Sequence, residues 1–275
     1  MKKEIDKTLE VNKEQAAFYN NPSRKKNLAT RIWYLLRNKT LGTYRKKFNI
    51  SEKVYKTHLE WIDQKKLSEM KVLDLGCYEG NHLSLHLARH AKSYLGIDLS
   101  EKGISKLLNK IEEEQLPHAS VQVVDFLSDD FKESEFDLIY AYGVLHHFPD
   151  VNILIKRLNQ KLAPKGRIIA YDPLETYWLL KLVRSAYRPF QNDKKWEWPF
   201  NRKTIYIFEN NFQILDFHGV LGASKWGILI NLLPLSQPYK EKWIRSLIEK
   251  DWSTKKHISK VFNCMHLTMY LEKNS

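Results

Sequence analysis

The residues best suited to chemistry lie where three predicted strands end. Residues 72–80, Val-Leu-Asp-Leu-Gly-Cys-Tyr-Glu-Gly, begin as an apolar run and end in a glycine turn, and Asn81 then caps a helix. Glycine lets a ligand approach the backbone closely, and the first N–H groups of a helix lack partners within it. This stretch therefore predicts a cradle for a small polar ligand.

Two acidic residues follow the next two predicted strands. Asp98 ends the strand 93–98, and Asp125 follows the strand 121–124. The carboxyl ends of parallel strands share one edge of an open α/β sheet, where such sheets bind ligands. At that edge Asp98 can accept both hydrogens of a ribose diol, and Asp125 can accept from an adenine amino group beside Phe126. A helix cap or a turn is the alternative role for each, although Ser100 already supplies a cap after Asp98.

The order of elements that would position these residues indicates the fold. Strands and helices alternate over residues 71–171, which predicts parallel βαβ units. The predicted strands are 71–75, 93–98, 121–124, 137–141, 167–171, 212–217 and 263–271. We therefore expect an α/β fold, a doubly wound, mostly parallel seven-stranded Rossmann-like sheet, with an N-terminal helical cap and helical insertions. Residues 203–211 are compatible with either strand or helix.

Composition limits the class of protein. The chain has 275 residues, of which 43% are hydrophobic, so it can bury a sizeable core. Its beginning lacks the apolar stretch of a secretory signal, and no run is long enough to span a membrane. Cys77 and Cys264 allow at most one disulfide and have no zinc-site spacing. These features favour a cytoplasmic protein.

The net charge of +13 is unevenly distributed. Residues 1–60 carry 15 basic and 6 acidic side chains, residues 61–172 carry 14 and 17, and residues 173–275 carry 16 and 9. Basic flanks attract nucleic acid, an anionic membrane or an acidic substrate, and they also occur as a simple solvated surface. The charge alone does not decide among these.

A further motif follows the predicted strand 137–141. Residues 142–150 read Tyr-Gly-Val-Leu-His-His-Phe-Pro-Asp, and residues 162–168 contain a Leu-x-Pro-x-Gly-x-Ile turn. With Asp74 and the Gly-x-x-x-Gly loop, these motifs resemble class I (Rossmann-like) S-adenosylmethionine (SAM)-dependent methyltransferases. The likeness is to the small-molecule and lipid group that includes quinone-biosynthesis enzymes, and it covers about residues 70–172. Tyr78 departs from the family pattern, because it replaces the middle glycine of Gly-x-Gly-x-Gly.

The resemblance implies SAM as the cofactor and a role for each matching residue. Asp98 and Leu99 would hold the ribose and adenine, and Asp125 and Phe126 would lie at the adenine edge. The methionyl part would lie against Asp74, Gly76, Cys77 and Gly80.

His146 and His147 are the candidate catalytic residues, because the resemblance places them beside the reacting methyl group. Histidine can act as a general base if the acceptor must lose a proton, and both rings also have a structural alternative. A second group, His82, His86 and His90, lies on one helical stripe. No metal site is predicted there, since Leu83 and Leu87 mark the adjacent buried face and no carboxylate completes a site.

The acceptor is expected to bind outside the sheet. Residues 1–66 form the predicted cap and residues 67–275 the SAM-binding domain, with insertions at about 172–202 and 222–258 forming an acceptor lid. Aromatic and basic residues there could enclose an apolar substrate or pair with its acidic group: Tyr19, Trp33, Tyr34, Trp178, Arg184, Arg188, Trp196 and Trp198. The segment 226–235 fits either a buried lid helix or a membrane-surface contact.

Four functions are compatible with these observations. The main expectation is methyl transfer from SAM to a small-molecule or lipid-like acceptor. RNA methylation through the basic flanks is an alternative, but no RNA-binding module is recognisable, so a nucleic-acid partner is not expected. A nicotinamide-dependent oxidoreductase would require the missing third glycine. The last alternative is a binding module that kept only the fold. The oligomeric state cannot be read from the sequence.

Overall fold

The computed structural model of the protein describes residues 2–21, 28–191, 194–253 and 258–274. Within them lies one seven-stranded sheet of order β3-β2-β1-β4-β5-β7-β6. Its strands are β1 (Lys71–Leu75), β2 (Ser93–Asp98), β3 (Ala119–Val123), β4 (Phe136–Tyr142), β5 (Leu162–Pro173), β6 (Phe212–Val220) and β7 (His266–Lys273). Strands β1 to β5 pair in parallel, and β7 is antiparallel to both β5 and β6. The predicted fold class is confirmed. The strand order reverses between β1 and β4, so a ligand crevice is expected at their carboxyl ends.

The sheet is buried on both faces, which explains its continuous apolar strands. In β1, Val72 belongs to one core cluster and Leu73 to the other. The first cluster also receives α5 (His82–His90) and α6 (Glu101–Glu113), whose Leu87 and Leu107 are fully buried. The second receives α7 (Val151–Lys161) and α9 (Arg202–Asn211).

Side-chain caps set the starts of four helices. The Asn81 oxygen accepts from the Leu83 and Ser84 backbone N–H groups at 2.8 and 3.0 Å. Ser100, Asp150 and Asn201 cap α6, α7 and α9 in the same way. These polar side chains accept hydrogen bonds from N–H groups that have no partner inside the helix, and they therefore fix the residue at which each helix begins.

Helices outside the sheet form the N-terminal region and the insertions. The first group is α1 (Lys2–Asn20), α2 (Leu28–Arg37), a π-helical turn (Asn38–Gly42), α3 (Thr43–Lys47) and α4 (Ile50–Trp61). The insertions contain α8 (Trp178–Tyr187), α10 (Gly227–Ile230) and α11 (Gln237–Trp252). Ile230 is buried, but Leu229, Leu232, Leu233 and Leu235 are exposed, so most of segment 226–235 is not a buried lid helix.

Several predicted boundaries differ from the structure. Strand β5 begins at Leu162 rather than Arg167, and β7 covers His266–Lys273 rather than 263–271. Residues 203–211 belong to α9, because Asn201 caps this helix and the helix packs on one face of the sheet. Helix α4 begins at Ile50, after Asn49 in the left-handed conformation. Cys77 and Cys264 are both buried and free.

Candidate functional site

A cavity of about 440 Å³ opens at the carboxyl edge of the sheet. This volume lies in the range of small-ligand sites. Its walls are the ends of β1 to β4 and one face of α1. The lining residues are Asn12, Gln15, Tyr19, Leu75, Gly76, Tyr78, Ile97, Asp98, Leu99, Val124, Asp125, Phe126, Tyr142, Gly143, Val144, His147 and Phe148. Six of the ten predicted site residues are among them.

Gly76 forms the floor of the cavity. Its φ of +71° is rarely accessible to other residues, and an added Cβ would lie 2.5 Å from the Val144 side chain. Its N–H donates to the Ile97 carbonyl at 2.8 Å, which ties the turn to β2. A side chain at this position would therefore fill the space that a ligand backbone contact requires.

Asp98 lines the cavity at the end of β2. Oδ2 accepts from the Tyr78 N–H at 2.9 Å, and Oδ1 accepts from the Ser100 N–H at 2.7 Å. Burial raises the pKa of this carboxyl, and the backbone N–H groups partly oppose the shift. Each carboxylate oxygen can accept more than one hydrogen bond, so two acceptors remain for a ligand diol.

Asp125 lies at the end of β3 beside Phe126. Oδ1 accepts from the Leu127 N–H at 2.8 Å, and Oδ2 accepts from the Asn12 amide at 2.7 Å. Burial raises the pKa of Asp125, and the two hydrogen bonds act in the opposite direction. The Phe126 side chain is buried and packs edge-to-face on Phe148, at 6.0 Å between ring centres, so the site has an apolar wall.

Four predicted site residues lie outside the cavity lining: Asp74, Cys77, Gly80 and His146. Asp74 is a buried residue of β1 and accepts from the Tyr94 hydroxyl at 2.8 Å, and burial raises its pKa to about 6. The Cys77 side chain is also buried. At Gly80 an added Cβ would lie 2.7 Å from Leu107, so this glycine allows α6 to approach the loop. These three residues support the glycine loop without lining the cavity.

The two histidines that follow β4 have different surroundings. His147 lines the cavity, and its Nδ1 lies 2.6 Å from the Trp196 carbonyl. Because a carbonyl only accepts, Nδ1 carries the proton and Nε2 keeps the lone pair. Burial and the neighbouring His146 lower the pKa of His147 to about 3.

His146 packs against His147 but does not line the cavity. Its ring centre is 4.2 Å from that of His147, and its Nδ1 is 2.8 Å from Asp172 Oδ1. The same oxygen accepts from the His146 backbone N–H at 3.1 Å. Asp172 is buried, so it fixes the His146 ring in one orientation.

Tyr78 occupies the middle glycine position of the family pattern without closing the cradle. Its φ is +46°, the left-handed conformation that glycine usually supplies. An added Cβ on Gly103 would lie 2.5 Å from the Tyr78 ring, so a glycine in α6 provides the space for it. The phenol is about two-fifths exposed and lines the cavity rim.

Apart from Tyr19, the contribution of α1 to the cavity is absent from the expected site. Asn12 and Gln15 are both buried, and the Gln15 amide lies 3.2 Å from His147 Nδ1. With Thr8, they form a buried polar stripe at positions i, i+4 and i+7. A polar stripe at helical spacing in an otherwise charged segment is the signal that would have identified this wall.

An aromatic stack leads away from the cavity along the sheet edge. Tyr142 stacks on Tyr171 at 4.7 Å, and Tyr171 stacks on His266 at 5.2 Å. Arg45 donates to the Tyr171 hydroxyl at 2.9 Å. Burial lowers the pKa of His266 well below its usual range, and the charges of Arg45 and Arg184 add to the effect. Cationic residues therefore surround the far end of the stack.

The expected acceptor residues divide between this region and the surface. Trp33 stacks on Tyr187 at 4.4 Å, and Arg184 Nε lies 3.3 Å from the Tyr187 hydroxyl. Arg188 instead donates to the Lys194 and Glu197 carbonyls. Trp196 is buried against Phe18, while Trp178 is exposed.

The described residues, 2–21, 28–191, 194–253 and 258–274, contain neither a metal-binding cluster nor a helix fit to span a membrane. No group of three or more histidine, cysteine or acidic side chains there has the arrangement of a metal site. His86 lies beside His90 and 2.9 Å from the Gln64 oxygen. No helix in those ranges has the length and apolar content needed to cross a bilayer.

Comparison with known proteins identifies the family. A family model described as a methyltransferase domain matches residues 43–215, which is more than half of the chain. The chain is 30% identical over 142 residues to tocopherol O-methyltransferase of Arabidopsis thaliana, covering 46% of this chain and 40% of that protein. It is 34% identical over 112 residues to ubiquinone biosynthesis O-methyltransferase of Coxiella burnetii, covering 40% and 47%. The chain thus spans less than half the length of these curated relatives.

A solved structure shares the fold at low sequence identity. It is geranyl diphosphate C-methyltransferase from Streptomyces coelicolor, in complex with Mg²⁺, geranyl diphosphate and S-adenosyl-L-homocysteine. The TM-score is 0.50 with 12% identity, and the alignment covers 74% of this chain and 72% of that one.

Proposed function

Because the chain belongs to the family of methyltransferase domains, we propose that it transfers the methyl group of SAM to a small-molecule or lipid-like acceptor. The observation that carries the proposal is the pair of cavity-lining carboxylates, Asp98 and Asp125, on adjacent strands above Gly76. Curated relatives are named as O-methyltransferases of ubiquinone and tocopherol biosynthesis, which supports an aromatic, lipid-like acceptor. The family match gives no support to the nicotinamide or RNA alternative.

The residues present fit SAM. Asp98 would accept from the ribose hydroxyls, with Leu99 beside the ribose and adenine, and Asp125 would accept from the adenine amino group against Phe126. Gly76 leaves the backbone open to the methionyl part, while Asp74, Cys77 and Gly80 hold the loop from behind. When bound, SAM supplies an electrophilic methyl group on a sulfonium. The chain contributes orientation, which in methyl transfer provides much of the rate enhancement.

His147 is the proposed catalytic residue, because it lines the cavity. With Nδ1 bonded to the Trp196 carbonyl, its Nε2 would accept a hydrogen bond from the acceptor and aim the nucleophilic atom. A ring whose pKa is about 3 is neutral and holds a proton poorly, so this residue orients the acceptor rather than storing its proton. His146, bonded to buried Asp172, is then a positioning residue that supports the His147 ring.

The proposed acceptor path follows the stack from Tyr142 to His266, under a lid formed by residues 188–191, residues 194–200 and α8. Trp196 and Trp198 connect this lid to the two histidines through backbone groups. Arg45 and Arg184 at the far end favour an acceptor that carries an acidic group.

Calorimetry and a transfer assay test the proposal. Titration with SAM and S-adenosylhomocysteine should give binding, and titration with NADH should give none. Methyl-labelled SAM should then label a prenylated phenol. It should also label a phenol that carries a carboxylate more strongly than the same phenol with that carboxylate converted to an amide. Binding of NADH in place of SAM would contradict the donor assignment. SAM binding with no transfer to any phenol, amine or carboxylate tested would favour a binding module.

A further inference from the structure

The outer faces of α2 and α8 are apolar although they face solvent. On α2, Leu28, Ile32, Leu35 and Leu36 follow helical spacing i, i+4, i+7 and i+8, and each is between 48 and 73% exposed. Thr30, on the opposite side of the same helix, is buried to 1% exposure. The usual arrangement of an amphipathic helix is therefore inverted, since its apolar stripe points away from the protein.

Helix α8 repeats this inversion and lies next to α2. Trp178, Leu182 and Val183 are 51 to 66% exposed, while Arg184 and Tyr187 turn inward. The inner faces meet through the stacked rings of Trp33 and Tyr187. The two apolar stripes therefore lie on helices that contact each other through this ring pair. We call the exposed residues of this pair the cap face: Leu28, Ile32, Leu35, Leu36, Trp178, Leu182 and Val183.

The stretch of sequence that contains α2 carries only positive charges. Residues 22–48 contain nine basic side chains and no acidic one: Arg24, Lys25, Lys26, Arg31, Arg37, Lys39, Arg45, Lys46 and Lys47. The first three lie outside the described residues. Helix α8 adds Lys181 and Arg184 and also lacks acidic residues. Arg31, Lys39 and Lys181 are exposed.

These observations select one class of partner. A second copy of the chain would place the same basic residues opposite each other, and like charges repel. A bilayer that contains anionic lipid offers an apolar interior for the leucines and negative headgroups for the lysines and arginines. We propose that the cap face docks on the surface of an anionic phospholipid membrane, with α2 and α8 lying along the interface.

The location gives this docking a purpose that rests on the proposed function. The inner face of the same helix pair carries Trp33, Tyr187 and Arg184, at the cationic end of the predicted acceptor path. A lipid-like acceptor leaving the bilayer would pass directly beneath these helices. Docking itself needs no methyl transfer, so it can be measured on protein without cofactor.

Vesicle flotation of the full chain tests docking directly. The probes are vesicles of phosphatidylcholine alone and of phosphatidylcholine with about 30% phosphatidylglycerol. We expect binding to the anionic vesicles, weaker binding to the neutral ones, and loss of binding at high salt. The double variant Ile32→Gln with Leu36→Gln should bind about tenfold more weakly, because it removes two side chains that would enter the interface.

Matched control variants distinguish docking through the cap face from non-specific adsorption to vesicles. Leu108→Gln changes an exposed leucine on α6, and it should bind vesicles as the unmodified chain does. Arg31→Gln with Lys39→Gln should weaken binding to anionic vesicles. Lys92→Gln with Lys132→Gln, at exposed lysines that precede β2 and β4 at the other edge of the sheet, should not.

Three results would overturn the proposal. The first is the absence of binding to anionic vesicles, and the second is equal weakening by the cap-face and control variants. The third is a dimer in sedimentation that Ile32→Gln with Leu36→Gln converts to a monomer, without vesicle binding by either form. In that case a second copy covers the face. Failure of methyl transfer would leave vesicle binding unchanged, so the two proposals fail separately.

Discussion

The sharpest test of the donor site is the replacement of Asp98 by alanine. Two lone pairs of the carboxylate already accept from the Tyr78 and Ser100 N–H groups, and Asp98 lines the cavity with acceptor capacity left for a ligand. A hydrogen bond to a charged acceptor contributes about 1.5–3 kcal/mol when its partner is buried. Asp98→Ala should therefore raise the dissociation constant of SAM by about 10- to 150-fold in isothermal titration calorimetry.

The same substitution also removes two structural hydrogen bonds, so a control must separate binding from stability. Asp150 provides it, because its carboxylate accepts from the Asn152 and Ile153 N–H groups at the start of α7, outside the cavity lining. Loss of such a cap costs about 1 kcal/mol of stability. Asp98→Ala and Asp150→Ala should both lower the melting temperature, but only Asp98→Ala should weaken SAM binding. Equal SAM affinity in the two variants would show that Asp98 is a turn residue.

Three further predictions follow from individual contacts. Asn12→Ala removes the amide that holds Asp125 Oδ2 and should weaken SAM binding about 3- to 10-fold by calorimetry, whereas Thr8→Ala, on the same stripe but outside the cavity lining, should not. His147→Ala should lower the transfer rate more than SAM affinity. Because this ring has a pKa of about 3, the pH–rate profile of the unmodified enzyme should lack an inflection near pH 6.5. An inflection there that His147→Ala removes would refute the orienting role. Burial raises the pKa of Asp74 from 3.8 to about 6, so its stabilising contribution is complete below pH 4 and is lost as the pH rises through 6. The stability gained by Asp74→Asn, measured by urea unfolding, should therefore grow by about 1–3 kcal/mol between pH 4 and pH 8. A constant difference would contradict this.

The position of the proposed donor half of the site could be predicted from the sequence, because its information is local. Strands β1 and β2 have the predicted bounds, and Asn81, Ser100 and Asp150 cap the predicted helices. Each donor residue lies within a few positions of a strand end, so the sheet topology alone brings Gly76, Asp98 and Asp125 to one edge. Hydrophobic periodicity and capping residues are sufficient for that inference.

The roles within that half were harder to predict, because a motif does not state which way a side chain points. Asp74, Cys77 and Gly80 belong to the same motif as Gly76 but lie behind the lining. Strand alternation separates Asp74 from the cavity, and the glycine spacing of the loop serves α6 as much as a ligand. Tyr78 is accommodated by Gly103, 25 positions later, which no local pattern indicates.

The acceptor half depends on contacts between distant segments, and this is why the sequence predicts the donor better than the acceptor. Arg45, Tyr171 and His266 meet through three elements separated by more than two hundred residues. Sheet pairing places Tyr171 of β5 and His266 of β7, whereas Arg45 lies on α3, outside the sheet that positions Asp98. Helices α2, α3 and α8 contribute no residue to the cavity lining, so they can change without disturbing the donor cavity. The inner faces of α2 and α8 meet through Trp33 and Tyr187, and their apolar residues face solvent. The two proposals assign acceptor choice and membrane contact to the same two helices. A substitution such as Trp33→Ala should then alter acceptor selectivity without changing SAM affinity, which competition between two acceptors at saturating SAM would measure.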